Sequence, residues 1–101
     1  MPTSLSHDLF MGFIKLHILH HAAQERVFGV WLIQELAEHG YHISPGTLYP
    51  ILHTLTEEGF LKTQSETING KVRKYYTTTA KGKRALERAR AQAITLVDEI
   101  K

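Results

Sequence analysis

The first part of the chain is rich in apolar residues. Eight of the eleven positions from 9 to 19 are apolar, which is more than one face of a helix can hold. We predict a helix over residues 8–23 that buries one side in its own domain and another side against a second subunit. The apolar run is too short to cross a bilayer, which takes about 20 residues, and Lys15 and His17 interrupt it.

A second helix is predicted over residues 29–39, where apolar residues recur at helical spacing. Gly40 follows at the position that favours a left-handed C-terminal cap. The next three residues, Tyr41, His42 and Ile43, alternate between apolar and polar. We therefore predict a brief strand over residues 41–43.

A third helix is predicted over residues 45–58. Ser44 is a favourable N-cap residue and Pro45 suits the first helical position. Gly59 ends the helix. One apolar stripe runs along it and consists of Leu48, Ile51, Leu52 and Leu55.

Pro50 stands inside this third helix, where a proline removes one hydrogen bond and typically costs about 3 kcal/mol. The missing bond would run to the carbonyl of Gly46, whose turn deforms easily because glycine has no side chain. We predict a helix with a kinked or loosened first turn and with Pro50 on its exposed side.

Two strands and a long helix complete the chain. Residues 60–66 and 71–78 favour strands, and Asn69 with Gly70 between them is a strong hairpin-turn signal. Residues 80–100 predict a helix whose apolar residues are spaced as in a short coiled-coil seam. That seam comprises Leu86, Ala89, Ala93, Leu96 and Ile100.

This order of elements predicts an α+β fold, mostly α, in which a winged helix-turn-helix precedes a long C-terminal dimerisation helix. Residues 1–79 would form the DNA-binding domain, and residues 80–101 the dimerisation helix. In this arrangement the third helix enters the major groove of DNA, and the hairpin lies along the backbone or the minor groove.

Charge is distributed unevenly along the chain. Nine basic and two acidic residues lie between residues 62 and 90, although the net charge of the whole chain is only +2. A basic segment of this kind favours contact with a polyanion. Lys71, Arg73 and Lys74 follow the hairpin turn, where they can reach phosphates. The alternative is a solvated basic surface.

Two groups of residues resemble the signature of the PadR-like transcriptional regulators. The first is Ser44-Pro45-Gly46-Thr47-Leu48-Tyr49-Pro50-Ile51-Leu52 with Leu55 and Glu58-Gly59, and the second is Arg73-Lys74-Tyr75-Tyr76 with Thr79, Gly82 and Leu86. The resemblance is more specific than a generic helix-turn-helix pattern. Val30 and Thr56 depart from the family pattern, which usually has tyrosine and glutamate there.

The resemblance implies a homodimeric repressor that binds double-stranded DNA at a palindromic operator. It also implies release by a small-molecule effector, whose identity the sequence does not indicate. The third helix has no Lys or Arg, so most phosphate affinity is expected from basic residues around it. The residues predicted to contact DNA are Ser44, Gly46, Thr47, Tyr49, Pro50, His53, Lys71, Arg73 and Lys74.

A dimer interface is predicted between the first and last helices of two copies. It comprises Leu9, Phe10, Phe13, Leu86, Ala89, Ala93, Leu96 and Ile100. The last helix has no aromatic residue, which disfavours a flat aromatic ligand held between tryptophans on that helix. Trp31 is assigned to the core or an interface, and an effector pocket beside the last helix stays open.

Seven histidines and no cysteine are present, so disulfides and thiolate metal sites are excluded. His17 and His21 are four residues apart on one helix, with His20 beside them and Glu25 a further turn along. This spacing can hold Zn²⁺. Because no second cluster accompanies it, we predict no metal site and no cofactor, and a metal-responsive regulator using His17 and His21 stays an alternative.

Two other classes of function are weighed. A winged-helix adaptor that binds protein is an alternative, although the basic hairpin favours DNA. An enzyme is not predicted, because no nucleophile–histidine grouping, phosphate-binding glycine loop or carboxylate pair is evident. The chain lacks the basic start of a signal peptide, so we predict a cytoplasmic protein that does not contact membranes.

Overall fold

The computed structural model of the protein describes residues 4–101. Its elements are α1 (Leu5–Gln24), α2 (Gly29–Glu38), α3 (Pro45–Glu57), β1 (Leu61–Ile68), β2 (Lys71–Thr78) and α4 (Ala80–Ile100). This order confirms the predicted winged helix-turn-helix with a long C-terminal helix. No helix among the described residues is both long and apolar enough to span a bilayer.

The core lies where α1, α2 and α3 meet. Each of these helices contributes two of the side chains that are fully buried, and they are Ile14, Ile18, Leu32, Leu36, Leu48 and Leu52. The predicted apolar stripe of α3 is buried along its whole length. By contrast, Leu9 and Phe13 on α1 stay exposed, so the apolar surplus of the first helix lies on the surface of the chain.

Helices α2 and α3 both end at a glycine in the left-handed conformation, as predicted. Gly40 has a φ of +87° and Gly59 a φ of +84°. After α2, the amide of Tyr41 donates to the carbonyl of Leu36 at 2.9 Å, which is the longer hydrogen bond of a Schellman motif. An equivalent pair of bonds closes α3.

The brief strand predicted over residues 41–43 is wrong. Tyr41 uses its amide to cap α2, and residues 41–43 form an irregular loop that leads into α3. Val27, between α1 and α2, pairs with the hairpin instead. Its backbone exchanges hydrogen bonds of 3.0 and 2.8 Å with that of Tyr76. A three-residue alternation carries little weight here because the preceding helix end determines the conformation of the segment.

Helix α3 runs without interruption through Pro50, which is exposed as predicted. The kink in its first turn stays a prediction. Ser44 occupies the N-cap position with an extended backbone, but its hydroxyl donates to the hydroxyl of Thr47 at 3.4 Å instead of accepting from an amide. The amides of Thr47 and Leu48 both donate to the Ser44 carbonyl at 3.0 Å.

Strands β1 and β2 form a two-stranded antiparallel hairpin, with Leu61 opposite Thr78 at its base. Asn69 and Gly70 have φ values of 52° and 78°, which suit a two-residue turn and confirm the predicted one. At the base, the buried hydroxyl of Thr78 donates to the carbonyl of Leu19 at 2.8 Å. This hydrogen bond attaches the hairpin to α1.

Helix α4 begins against the end of α3. The hydroxyl of Thr79 accepts from the amide of Gly82 at 3.0 Å, which caps α4, and donates to the carbonyl of Gly59 at 2.6 Å. A Cβ at Gly82 would lie 2.2 Å from the carbonyl oxygen of Phe60. Only glycine therefore allows α4 to pass this close, which explains why Thr79 and Gly82 occur together.

The substitution Gly82→Ala should lower the free energy of unfolding by about 1–3 kcal/mol, because its Cβ must displace backbone at a tightly packed crossing. Gly46→Ala is the matched control, since the nearest atom to a Cβ there is the Ser44 Oγ at 3.6 Å. Urea unfolding followed by circular dichroism measures both. Equal stability of the two variants would mean that the crossing tolerates a methyl group.

Candidate nucleic-acid interface

The first turn of α3 lies beside a lysine of α1. Gly46, Thr47 and Pro50 are exposed and line a shallow groove together with Lys15. A helix N-terminus carries partial positive charge and unpaired amides, and Lys15 adds a formal charge next to it. This arrangement suits an anion such as a phosphate of a nucleic-acid backbone.

Sequence reasoning missed Lys15 as a functional residue. In the sequence it only interrupts an apolar run, and its closeness to Thr47 depends on how α1 packs against α3. The signal that was available is that α1 carries this single lysine in its apolar segment, although a lone charge is usually a solvated one.

A second groove lies between α3 and the hairpin. Tyr49 and His53 line it from α3, and Thr63, Lys74 and Tyr76 line it from the strands. Lys74 thus brings a positive charge to a helix that has none of its own. Of the predicted hairpin residues, Lys74 is the one that the structure places beside the predicted recognition helix.

Tyr49 contacts α2 with one end of its ring. A Cβ on Gly29 would lie 2.2 Å from the Tyr49 hydroxyl oxygen, so the hydroxyl packs directly over the start of α2. The residue is nevertheless 45% exposed. One part of the Tyr49 side chain therefore packs against a neighbouring helix, while another part is exposed and available for contact with DNA.

The remaining outward residues of α3 are exposed and held only locally. His53 pairs with Glu57 one turn later, and both are solvent-exposed. The Ser44 hydroxyl donates a hydrogen bond to the Thr47 hydroxyl. These side chains can be redirected toward a ligand at little energetic cost, because exposed pairs typically contribute less than about 1 kcal/mol.

Lys71 and Arg73 lie on the other face of the hairpin. Side chains alternate along a strand, so Arg73 points away from the groove that Lys74 enters. The Arg73 guanidinium carbon is 4.2 Å from the centre of the Phe28 ring. Lys71 is exposed next to the turn. The structure therefore separates the three basic residues that the sequence groups together.

Arg26 is a further basic residue on this second face that sequence reasoning missed. Its guanidinium pairs with Glu66 of β1 and lies 4.0 Å from the centre of the Tyr75 ring. The hydrogen bond to Glu66 raises the pKa of Arg26. Because its charge is already paired, Arg26 supports the hairpin more than it offers a contact for phosphate.

The geometry is that of a winged helix-turn-helix protein, and comparison with known proteins assigns its family. The model of the transcriptional regulator PadR-like family matches residues 18–88. The chain belongs to this family. The resemblance inferred from the sequence is thereby confirmed.

Relatives of this PadR-like protein agree in sequence and structure. Transcriptional regulator Rv3488 of Mycobacterium tuberculosis is 46% identical over 87 residues, which cover 86% of this chain and 81% of the relative. A PadR family transcriptional regulator from Eggerthella lenta superimposes with a TM-score of 0.83 at 34% identity, covering 92% of this chain and 82% of that one. A PadR-like transcriptional regulator from Bacillus cereus superimposes with a TM-score of 0.76 at 30% identity, covering 92% of this chain and 95% of that one.

The PadR-like protein is therefore a transcriptional regulator and not an enzyme. Regulators of this family bind DNA, which is consistent with the two grooves on either side of α3. Residues 18–88 include α3 and the whole hairpin. Lys15 lies outside the matched residues, so only the geometry of the structure supports a DNA contact by this residue.

The substitution Gly46→Ala should weaken DNA binding by about tenfold or more without lowering stability. Glycine permits close approach of backbone to a ligand, whereas alanine favours a helix by up to about 1 kcal/mol. A gel-shift assay with a duplex selected by the protein from random sequence, paired with thermal unfolding, measures both. Unchanged affinity would remove the first turn of α3 from the DNA contact.

Proposed function

We propose that this PadR-like regulator is a cytoplasmic homodimeric repressor. It binds a palindromic operator in double-stranded DNA, and a small-molecule effector releases it. The observation that carries the proposal is the groove in which Tyr49 and His53 of α3 face Lys74 of the hairpin. Residues 1–79 would engage DNA and residues 80–101 would join two copies.

Helix α3 would read the major groove with its outward side chains. Thr47 and His53 offer hydrogen-bonding groups to base edges, and the exposed part of Tyr49 offers an apolar surface to a thymine methyl. Ser44 and Gly46 would approach the backbone at the start of the helix, and Pro50 would lie at the groove wall.

Basic residues on three sides would bind the DNA backbone. Lys15 flanks the start of α3 and Lys74 flanks its middle, so each would offer a cation to a phosphate when α3 enters the major groove. Lys71 and Arg73 lie on the outer face of the hairpin. They would bind phosphates beside the hairpin, with the Arg73 guanidinium packed over the Phe28 ring.

The substitution Lys74→Ala should reduce the slope of log affinity against log salt by about 1, because the side chain would no longer neutralise one phosphate. Arg88→Ala, an exposed residue of α4, is the matched control and should leave the slope unchanged. Fluorescence anisotropy at several salt concentrations, with a duplex selected by the protein, measures this slope.

A slope that stays the same in Lys74→Ala would show that this residue does not bind a phosphate. If the wild-type protein bound every duplex with no dependence on salt, or bound none, the DNA proposal itself would fail. The protein-binding adaptor would then be favoured. Comparing Lys74→Ala with Arg73→Ala also distinguishes the two faces of the hairpin.

Two exposed apolar surfaces support a homodimer. On α1, Leu5, Leu9 and Phe13 recur every four residues and are 75%, 49% and 43% exposed. On α4, every residue from position 91 onward is exposed, including the apolar residues Ile94, Leu96, Val97 and Ile100. Apolar surface of this extent marks an interaction site.

The predicted interface residues differ in what they offer a second copy. Phe10 packs against the core of its own chain, with its ring 5.4 Å from that of Tyr41, and Leu86 also packs against that core. Leu9, Phe13, Leu96 and Ile100 are free of such packing and exposed. Ala89 and Ala93 are small and permit close approach of helices. We therefore propose the exposed members as the centre of the interface.

The substitution Leu96→Glu should convert the dimer to a monomer, because it places a charge in the proposed seam. Light scattering measures the mass, and circular dichroism checks that α4 is still helical. Arg88→Glu, which lies off the seam, should remain dimeric. A Leu96→Glu variant that stays dimeric would exclude the second half of α4 from the interface.

A groove between α1 and α4 is the proposed place for the effector. It has a volume of about 460 Å³ and is lined mainly by apolar residues, including Phe13, Leu16, Leu86 and Ala89. Small-molecule sites typically have volumes of about 300–1,000 Å³ with a few polar groups. His17 and Arg90 supply polar atoms at this groove.

A further inference from the structure

Two helices bring together four side chains with the chemistry of metal ligands. His17 and His21 are one turn apart on α1, and Glu35 and His39 are one turn apart at the end of α2. The ligand atoms of the three histidines lie within 4.8 Å of one another. The Glu35 carboxylate is 3.1 Å from His39 Nε2 and 3.8 Å from His21 Nε2.

We propose that His17, His21, His39 and Glu35 form a binding site for one borderline divalent transition-metal ion per chain, with Zn²⁺ as the representative ion. Imidazole and carboxylate ligands suit Zn²⁺, Co²⁺ and Ni²⁺. The set differs from the one weighed in the sequence, because α1 ends at Gln24 and Glu25 is exposed in an extended conformation. The missing ligands come from α2.

This cluster contains a buried polar atom that has no hydrogen-bond partner within residues 4–101. His21 Nε2 is buried and has no hydrogen-bond partner in the described part of the chain. A buried imidazole nitrogen without a partner is unfavourable. A metal ion bound among the four side chains would accept the lone pair of His21 Nε2. No group among the described residues forms a hydrogen bond with this atom.

Both helices hold their ligands in fixed positions. His39 is the C-cap of α2, and its amide donates to the Leu36 carbonyl at 3.0 Å. The His17 ring stacks against the His39 ring with their centres 4.9 Å apart, and the centre of the Tyr41 ring lies 5.2 Å from that of His17. Tetrahedral Zn²⁺ needs ligand atoms about 3.3 Å apart, so small side-chain rotations complete the site.

Burial also favours the neutral form of His17 and His21, which is the form that binds a metal ion. Burial, followed by the nearby His39, lowers the pKa of His17. Burial likewise lowers the pKa of His21, against the opposing effect of Glu35. Both shifts favour the neutral ring, which can donate a lone pair, and the carboxylate of Glu35 would balance part of the charge of the ion.

Trp31 offers a direct readout of occupancy. It is the single tryptophan of the chain, and its ring centre is 5.5 Å from that of His21. A paramagnetic ion such as Co²⁺ bound at this distance quenches tryptophan fluorescence, whereas Zn²⁺ does not. Quenching by Co²⁺ would therefore report binding close to Trp31, and Zn²⁺ is the comparison ion that does not quench.

The test is titration of the full chain, after removal of metal with a chelator, with Zn²⁺ by calorimetry and with Co²⁺ by Trp31 fluorescence. The wild type should bind one Zn²⁺ per chain with micromolar affinity or tighter, and Co²⁺ should quench Trp31. His39→Ala should lose most of that affinity. Glu35→Gln should weaken binding by at least about 10-fold, because loss even of a group that only orients a metal ligand costs about 10- to 100-fold.

His42→Ala is the matched control, since His42 is exposed in the loop after the cluster and should bind like the wild type. His39 is itself exposed, so His39→Ala should fold, and circular dichroism verifies this. Equal Zn²⁺ affinity of His39→Ala and His42→Ala, or Trp31 fluorescence that Co²⁺ leaves unchanged, would overturn the proposal. The test uses no DNA, so its failure leaves the proposed function untouched.

Discussion

The hydroxyl of Thr79 is the interaction on which the arrangement of the second half of the chain depends. It caps α4 through the amide of Gly82 and closes the end of α3 through the carbonyl of Gly59. The hairpin begins and ends between these two points, so its base is fixed to both helices. This part-buried junction thus joins the end of the helix proposed to read DNA to the start of the helix proposed to join two copies.

Most of the fold could be predicted because its signals are local. Gly40 and Gly59 end helices through left-handed conformations, and Asn69 with Gly70 forms the turn, each for reasons contained in a few neighbouring residues. The prediction failed over residues 41–43, where the signal was equally local but weaker. The amide of Tyr41 was already committed to the end of α2, which the alternation of side chains does not reveal.

The candidate site could be predicted only in part, because much of it depends on contacts between elements. The outward positions of α3 follow from helical spacing. The closeness of Lys15 to Thr47, and of Glu35 to His21, arises only when α1 packs against its neighbours. The separation of Arg73 from Lys74 is an intermediate case, since alternation along a strand implies it once the register of the hairpin is known.

The packing of Tyr49 over Gly29 has a consequence for how this surface can change in evolution. A side chain at position 29 would occupy the space of the tyrosine hydroxyl, so Gly29 cannot be replaced while Tyr49 keeps its present position. A larger residue at position 29 should therefore occur with a smaller one at position 49. Because Tyr49 also belongs to the exposed surface of α3, a side chain at position 29 of α2 would change the surface that α3 presents to a ligand.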